Sequence, residues 1–337
     1  AEPFIPPIPG VEASGYLTSE TIWQLQALPK RLLVLGGGPI GSELAQAFCR
    51  LGSQVTLVDM APRVLPREDE DASAVVHQFF ERDGMKVLVD HKTTAFRQDG
   101  DRRLAVLEHK GDSFELEYDQ VLIAVGRKAR DDTPGMEALG LERSRGGTLV
   151  VDEYLRTKFP NVFACGDIVG PYQFTHVAAH QAWYAAVNAL FGVFRKFKVD
   201  YRVIPWATFT DPEVARVGLS ETEAKAQGIA YEVTRYGIDD LDRAIADGQA
   251  HGFVKVLTVP GKDRILGVTI VGHDAGNLIA EYVTAMKYNL GLNKILGTIH
   301  IYPTLTEANK YAAGEWKRAH APEGLLAWVK RFHAWRL

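Results

Sequence analysis

Leu32-Leu33-Val34-Leu35-Gly36-Gly37-Gly38-Pro39-Ile40-Gly41 is the stretch on which the fold turns. An apolar run ends in a glycine turn, and Ser42-Glu43-Leu44-Ala45-Gln46-Ala47-Phe48 continues it with helical character. Gln54 to Asp59 then reads as a second strand, so the whole is a strand–helix–strand unit. Each glycine of such a unit has a task. Gly36 allows the tight turn, Gly38 lets the backbone approach a pyrophosphate, and Gly41 lets helix and strand pack closely. The helix N-terminus then faces the phosphates. Asp59 ends the second strand 23 residues after Gly36, where a carboxylate accepts hydrogen bonds from both ribose hydroxyls and repels a 2′-phosphate. The plainer reading of Asp59 is a solvated acid at a strand end. Arg63 is the nearby group that would favour a phosphate, and the balance predicts NAD ahead of NADP. A lone glycine motif is weak, but this context makes it a dinucleotide site.

Working outward, the acidic stretch Glu68-Asp69-Glu70-Asp71 suits a helix N-terminus and opens a helix from Glu70 to Arg82. Lys86 to Val89 reads as a third strand. Polar strands from Thr93 to Glu117, with turns at Asp99-Gly100-Asp101 and Lys110-Gly111-Asp112, are a hairpin insertion in a parallel-sheet domain. Val121 to Val125 is a buried strand that ends in a turn at Gly126-Arg127. Thr148 to Val151 and the motif Val162-Phe163-Ala164-Cys165-Gly166-Asp167-Ile168 follow a loop. His176 to Phe191 looks helical, with Ala178, Ala179, Ala182, Ala185, Ala186 and Ala189 allowing close packing. Beyond Tyr201 come strands at 214–218, 230–237, 252–259 and 264–272, with helices at 220–227 and 276–290, an α+β pattern. Thr18-Ser19-Glu20 is placed to start a short helix over Ile22, Leu25 and Leu28.

The composition excludes several classes. With 337 residues, 46% hydrophobic and 24% charged, the chain has room for two or three domains. A net charge of −4 gives no electrostatic reason to expect nucleic acid. Two distant cysteines, Cys49 and Cys165, exclude a disulfide framework and a CxxC metal or redox pair, and suit a reducing cytoplasm. No run approaches the roughly 20 apolar residues of a membrane span. Residues 1–10 hold four prolines and a glycine, an extended connector. Because linkers sit between cores, an upstream domain is expected.

Other candidates are weighed against plainer readings. Asp167 alone is a capping acid, but its place in the Val162–Ile168 motif, before the helix near His176, suits a second nucleotide ligand. Gly126 alone is a strand-end turn, and Cys165 reads as a small core residue. In Ile299-His300-Ile301-Tyr302-Pro303-Thr304-Leu305-Thr306-Glu307, Pro303 ends a strand-like approach and Thr304 can cap a helix carrying Glu307. A His or Tyr there, with that carboxylate, makes an acid/base pair; alone the segment is a polar loop. Leu325, Trp328, Val329, Phe332 and Trp335 form a helical stripe in the tail. The tail is expected to pack on the preceding domain, with an interfacial membrane helix as the alternative.

Gly36 to Phe48, Ala124 to Arg127, Phe163 to Asp167, Phe209-Thr210-Asp211-Pro212-Glu213 with Val217-Gly218-Leu219, and Tyr302 to Glu307 lie in the order found in one family. On these residues the chain resembles the pyridine nucleotide-disulphide oxidoreductases, such as dihydrolipoamide dehydrogenase, glutathione reductase and mercuric reductase. The resemblance implies an α/β fold in three parts: a Rossmann-like NAD(P)-binding domain at 22–128, a remnant of an FAD-binding domain at 129–197, and an α+β dimerisation domain at 198–320. A linker of 1–21 and an amphipathic tail of 321–337 flank them. It implies that Asp167 holds the FAD ribityl or pyrophosphate region, with Gly126 in the neighbouring motif and the segment from His176 against the isoalloxazine. Glu43 matches a position where nicotinamide meets flavin, and Tyr302 and Glu307 would reach the partner subunit's active site. The implied activity is that of a homodimer passing hydride from NADH to FAD and electrons on to a disulfide, a metal ion or another small acceptor.

Two departures shape the expectation. The family's first FAD fingerprint and Cys-x4-Cys redox pair are absent, so the chain looks like a fragment that binds NAD(H) weakly, retains no stable FAD and turns over nothing alone. Tyr302 stands where dihydrolipoamide dehydrogenases and glutathione reductases carry histidine, which looks more like mercuric reductase. A phenol titrates near 10 and is a poor base but a good donor; His300 could substitute only in a remodelled loop. The rival reading is an FAD-free NADH-binding dimerisation or sensor module. A quinone-directed NADH dehydrogenase fits the dimerisation signatures less well. The expected location is cytoplasmic, with association at the inner face of the membrane open for the full-length protein.

Overall fold

Strand β1 (Arg31–Leu35), helix α1 (Pro39–Arg50) and strand β2 (Gln54–Val58) form the expected unit, within two residues of the bounds read from sequence. In a computed structural model that describes residues 1–130 and 135–336, contacts divide the chain into two units. The first takes Ala1–Arg67 and His77–Tyr201; the second takes Glu68–Val76 and the chain from Arg202.

Helix α2 (Glu70–Arg82) begins among the residues of the second unit and from His77 belongs to the first, where it precedes β3 (Lys86–Leu88), the antiparallel β4 (Lys92–Asp99), β5 (Arg102–His109) and β6 (Asp112–Tyr118), and then β7 (Gln120–Ile123). The parallel sheet runs β3-β2-β1-β7. Leu33, Leu35, Val58, Val121 and Ile123 are buried with Phe96, Leu107 and Tyr118 from the hairpin insertion. This explains why the parallel strands read as unbroken apolar runs while the insertion alternates.

The opening residues are extended, as their prolines require, and they are held on the domain. Glu2–Pro3 pair antiparallel with Arg127–Lys128, Phe4 N–H donates to Gly126 O at 3.0 Å, and Val11 is buried with Ile5 and Ile8 packed around it. The short helix expected after Thr18 is only a 3-10 turn, Ile22–Gln24. The Thr21 hydroxyl accepts from Thr18 N–H at 2.9 Å, a local side-chain bond that competes with helix growth. Ile22 is buried, while Leu28 is exposed. Thr148 to Val151 forms no strand; Leu149 makes a single bridge to Arg143.

Helix α3 (Thr175–Phe191) closes the first unit, and its packing departs from the alanine-stripe expectation. Of the six alanines only Ala185 is buried; the inward face also carries Val177, Gln181 and Asn188. Asn188 donates to Tyr154 O and Phe197 O and accepts from Phe197 N–H at 2.7 Å, so a polar side chain satisfies loop backbone in the interior. Trp183, Leu190 and Phe191 stay exposed.

The second unit runs β8 (Pro205–Thr208), β9 (Glu213–Gly218), α4 (Glu221–Ala226), β10 (Glu232–Gly237), α5 (Asp242–Ala246), β11 (Phe253–Thr258), β12 (Ile265–Gly272), α6 (Ala275–Lys287), α7 (Leu292–Leu296), α8 (Glu307–Ala319) and α9 (Glu323–Arg336). Its antiparallel sheet is ordered β8-β9-β12-β11-β10. Strand β8, α5 and α7 were not legible, being short; β8 begins with proline and lies at an edge, where a missing N–H is tolerated. Val254, Val256, Val268 and Ile270 pack with Leu278, Tyr282 and Trp316 from α6 and α8. Ser220 caps α4 in a full capping box with Glu223. The approach to Pro303 is loop rather than strand. The tail forms α9, but it does not pack as expected: none of its residues is buried.

Candidate functional site

The glycine loop in the first unit is built by three different constraints. Gly36 has φ +108°, and a Cβ there would lie 2.4 Å from Ala124 O, so only glycine fits the turn. At Gly41 a Cβ would lie 1.8 Å from Gly36 O, the close helix–strand packing read from sequence. Gly38 differs from both. It is the N-cap of α1 with φ −74°, no side chain caps the helix, and a Cβ would meet nothing within 4 Å. The space a ligand needs is therefore at Gly38, in front of the α1 N–H groups.

Asp59 already has protein partners. One carboxylate oxygen accepts from Gly37 N–H and the other from Ala61 N–H at 2.6 Å. The acid thus clamps the glycine loop to the end of β2, a task the ribose reading had not included. Glu43 lies partly buried in the second turn of α1.

The Val162–Ile168 motif is tied to α3 by Gln181, which the sequence reading did not single out. Its amide oxygen accepts from Gly166 N–H at 2.6 Å, and its nitrogen donates to Tyr201 Oη at 2.7 Å. Asp167 Oδ2 lies 3.4 Å from the nitrogen of Ala1. His176, the second residue of α3, is exposed and stacks on Phe174 with ring centroids 5.3 Å apart. Gly126 has φ +151° and open space where a Cβ would project. Cys165 packs against Leu155, Val169 and Ala185, consistent with a core residue. Burial pushes the Cys49 thiol up, and its Sγ donates to Asp83 O at 3.2 Å.

In the second unit Tyr302 and Glu307 line one pocket of about 350 Å³, together with Tyr236, Asp242, Tyr311 and Arg318. Among the described residues each is hydrogen-bonded to other partners. Tyr302 Oη donates to Asp242 Oδ2 at 2.9 Å, while Glu307 accepts from Tyr311 Oη at 3.2 Å and from Thr304 N–H at 3.3 Å. The hydrogen bond to Asp242 and that acid's charge hold the Tyr302 phenol above its ordinary range. Burial first, and then nearby acids including Asp240, push Tyr236 up to about 12. Thr304 is not the helix cap: Thr306 occupies that position, and the Thr304 hydroxyl turns back to Ile301 O at 2.7 Å.

His300 is engaged elsewhere. Its Nε2 lies 3.0 Å from Glu281 Oε1 and its Nδ1 3.1 Å from Thr298 O, so it does not stand in for Tyr302 beside Glu307. Tyr311 was within reach of the sequence, four residues after Glu307 on one helix face. Asp242 carried no such signal, being 60 residues from Tyr302. Among the described residues no cluster of three or more His, Cys, Asp or Glu is placed to hold a metal ion.

Residues 1–182 match the pyridine nucleotide-disulphide oxidoreductase family, and residues 204–313 match the dimerisation domain of the same family. Among curated relatives, a mercuric reductase of Streptomyces lividans is 36% identical over 92% of this chain and 65% of its own length. A dihydrolipoyl dehydrogenase of Chlamydia muridarum is 34% identical over 89% of this chain and 64% of its own length. The chain therefore spans just under two thirds of those relatives. Among solved structures, the HOCl-induced flavoprotein disulfide reductase RclA from Escherichia coli superposes with a TM-score of 0.85 at 27% identity, covering 93% of this chain and 71% of that one.

Proposed function

Because the chain belongs to the pyridine nucleotide-disulphide oxidoreductase family, we propose that it works within a homodimeric, FAD-dependent enzyme that oxidises NADH and reduces a disulfide, a metal ion or another small acceptor. Within it, 22–128 serve as the NAD(P)-binding part, 129–197 as part of the FAD-binding domain, and 198–320 as the dimerisation domain. FAD and NAD(P) are the cofactors of this family. When bound, they supply hydride transfer from nicotinamide to flavin and electron passage onward. The observation that carries the reading is the open space at Gly38 before an uncapped helix N-terminus, a cradle a methyl group would fill.

The residues have separable tasks. Gly38 and the first α1 N–H groups take the pyrophosphate, and Asp59 holds Gly37 in place while offering its remaining lone pairs to the ribose. Glu43 faces the nicotinamide end. Gly126, Asp167 and the N-terminus of α3 near His176 serve the flavin, whose fit is supported by the open space at Gly126. Titrating the chain with NADH and NADPH tests the dinucleotide reading: NADH should bind at least about tenfold tighter, roughly 1.4 kcal/mol. Tighter NADPH binding would overturn the assignment of Asp59.

At the acceptor end, Tyr302 is a hydrogen-bond donor rather than a base. Asp242 accepts the phenol's hydrogen bond, holds the ring in place and moves its titration further above neutral pH, while Tyr311 donates to the Glu307 carboxylate. Tyr302→Phe in the intact enzyme should lower turnover by about a hundredfold, the scale of a lost proton-handling group. Asp242→Asn should bring the Tyr302 phenol titration down toward about 10, read by ring-labelled tyrosine NMR. An unchanged titration means that Asp242 does not position the phenol; unchanged turnover with every acceptor removes Tyr302 from the reaction.

A further inference from the structure

Helix α9 (Glu323–Arg336) stands apart from the other described helices of the second unit because no residue in it is buried. Leu325, Trp328, Phe332 and Trp335 recur at intervals of three and four and so share one face. Their exposures run from 39% at Phe332 to 80% at Trp335, large for apolar side chains on one helix. The rings form a ladder along that face: Trp328 stacks on Phe332 with centroids 5.7 Å apart, and Phe332 meets Trp335 at 6.2 Å. Arg331, three residues after Trp328 and four before Trp335, flanks the ladder on one side, Arg336 extends over the Phe332 ring at 5.7 Å on the other, and Lys330 lies across the helix.

Charge identifies what such a face would meet. The helix carries Lys330, Arg331 and Arg336 against the single acid Glu323, within a chain whose net charge is −4. A basic helix with a Trp/Phe/Leu stripe matches an anionic lipid surface, where aromatic rings settle at headgroup level and basic side chains reach the phosphates. Length decides the mode. Fourteen residues rise about 21 Å, short of the roughly 30 Å hydrocarbon core. Among the described residues no helix is long and apolar enough to cross a membrane. The helix can lie on a bilayer but not span one.

We propose that α9 binds the surface of an anionic phospholipid bilayer, seating Trp328, Phe332 and Trp335 at the headgroup boundary with the flanking Arg331 and Arg336 on lipid phosphates. The site is independent of the nucleotide and acceptor readings, so its failure leaves them untouched.

The test is co-sedimentation of the full 337-residue chain with vesicles of mixed phosphatidylcholine and phosphatidylglycerol, beside vesicles of phosphatidylcholine alone. Binding should be at least about tenfold tighter to the anionic vesicles, consistent with a few basic residues at the surface, and should fall at high salt. Trp328→Ser with Trp335→Ser should remove it, as should Arg331→Glu with Arg336→Glu. Because α9 contributes nothing to the buried core, these variants should keep the wild-type circular dichroism and melting curve. Equal affinity for both vesicle types overturns the proposal, and so does binding that survives both double variants. If the tryptophan variant instead splits a dimer in analytical ultracentrifugation while the wild-type chain ignores vesicles, the face belongs to a second copy and the lipid assignment is wrong.

Discussion

Gly38→Ala should leave the melting curve of the chain where it is and weaken NADH binding by about 10- to 100-fold, while Gly41→Ala should cost the fold itself several kcal/mol. The two substitutions add the same methyl group three residues apart, and geometry separates their effects. At Gly38 the backbone is at φ −74°, which alanine adopts freely, and the added Cβ projects into open space. Stability should hold, because alanine restricts the unfolded chain by about 0.4–1 kcal/mol, which offsets its poorer fit at the N-cap of α1. What the methyl occupies is the approach route of a pyrophosphate to the α1 N-terminus. At Gly41 the same methyl would sit 1.8 Å from Gly36 O, so helix and strand must separate. Overpacking of that kind costs about 1–3 kcal/mol or more and disturbs the buried β1 core as well. Thermal melts and NADH fluorescence titrations on the same samples read both effects. If Gly38→Ala binds NADH as tightly as the wild type, the pyrophosphate does not cross at Gly38 and the dinucleotide reading of the loop fails.

How much of this was legible before the structure depended on how local each signal was. The β1–α1–β2 unit was read almost to its ends because an apolar run, a glycine turn and a helical pattern lie within thirty residues of one another. The hairpin turns around Gly100 and Gly111 announced themselves in the same way, since positive φ at both positions calls for glycine. The long-range parts were hidden. Nothing in the sequence links Asp242 to Tyr302, because their hydrogen bond closes over strands β11 and β12 and helices α6 and α7. The inward face of α3 was misread because Gln181 and Asn188 are polar, and their burial follows from loop backbone groups that need partners. The tail stripe was seen correctly as a pattern, but amphipathicity states only that one face is apolar. What covers that face is a property of the surroundings.

Lys255→Met should destabilise the chain by about 3–5 kcal/mol at neutral pH, the cost of leaving a buried acid without its cation. Lys255 Nζ lies 2.9 Å from Asp69, 2.7 Å from Asp71 and 3.0 Å from Glu221, and its side chain is 1% exposed. Asp69 is the centre of the cluster. It also accepts the N–H groups of Glu221 and Thr222, so an acid from residues 68–76 satisfies the start of α4. Burial by itself would raise the Asp69 carboxyl, but hydrogen bonds from Lys255 and those two backbone groups outweigh it and bring the group down to about 2. A carboxyl lowered in the folded state contributes stability above its ordinary value near 3.9 and loses it as pH falls through about 2; here that amounts to roughly 2 kcal/mol. In Lys255→Met the Asp69 carboxyl titrates higher, because one of its donors is gone. The penalty should therefore shrink below about pH 4, where the uncompensated charge is neutralised by protonation. Adding Asp69→Asn to Lys255→Met should recover part of the loss at neutral pH, since the unpaired charge is then removed. Denaturant melts of the single and double variants across the acid range measure all three effects. A Lys255→Met chain that melts within about 0.5 kcal/mol of the wild type, the range of an ordinary surface substitution, would show that the buried cluster does not hold residues 68–71 against α4.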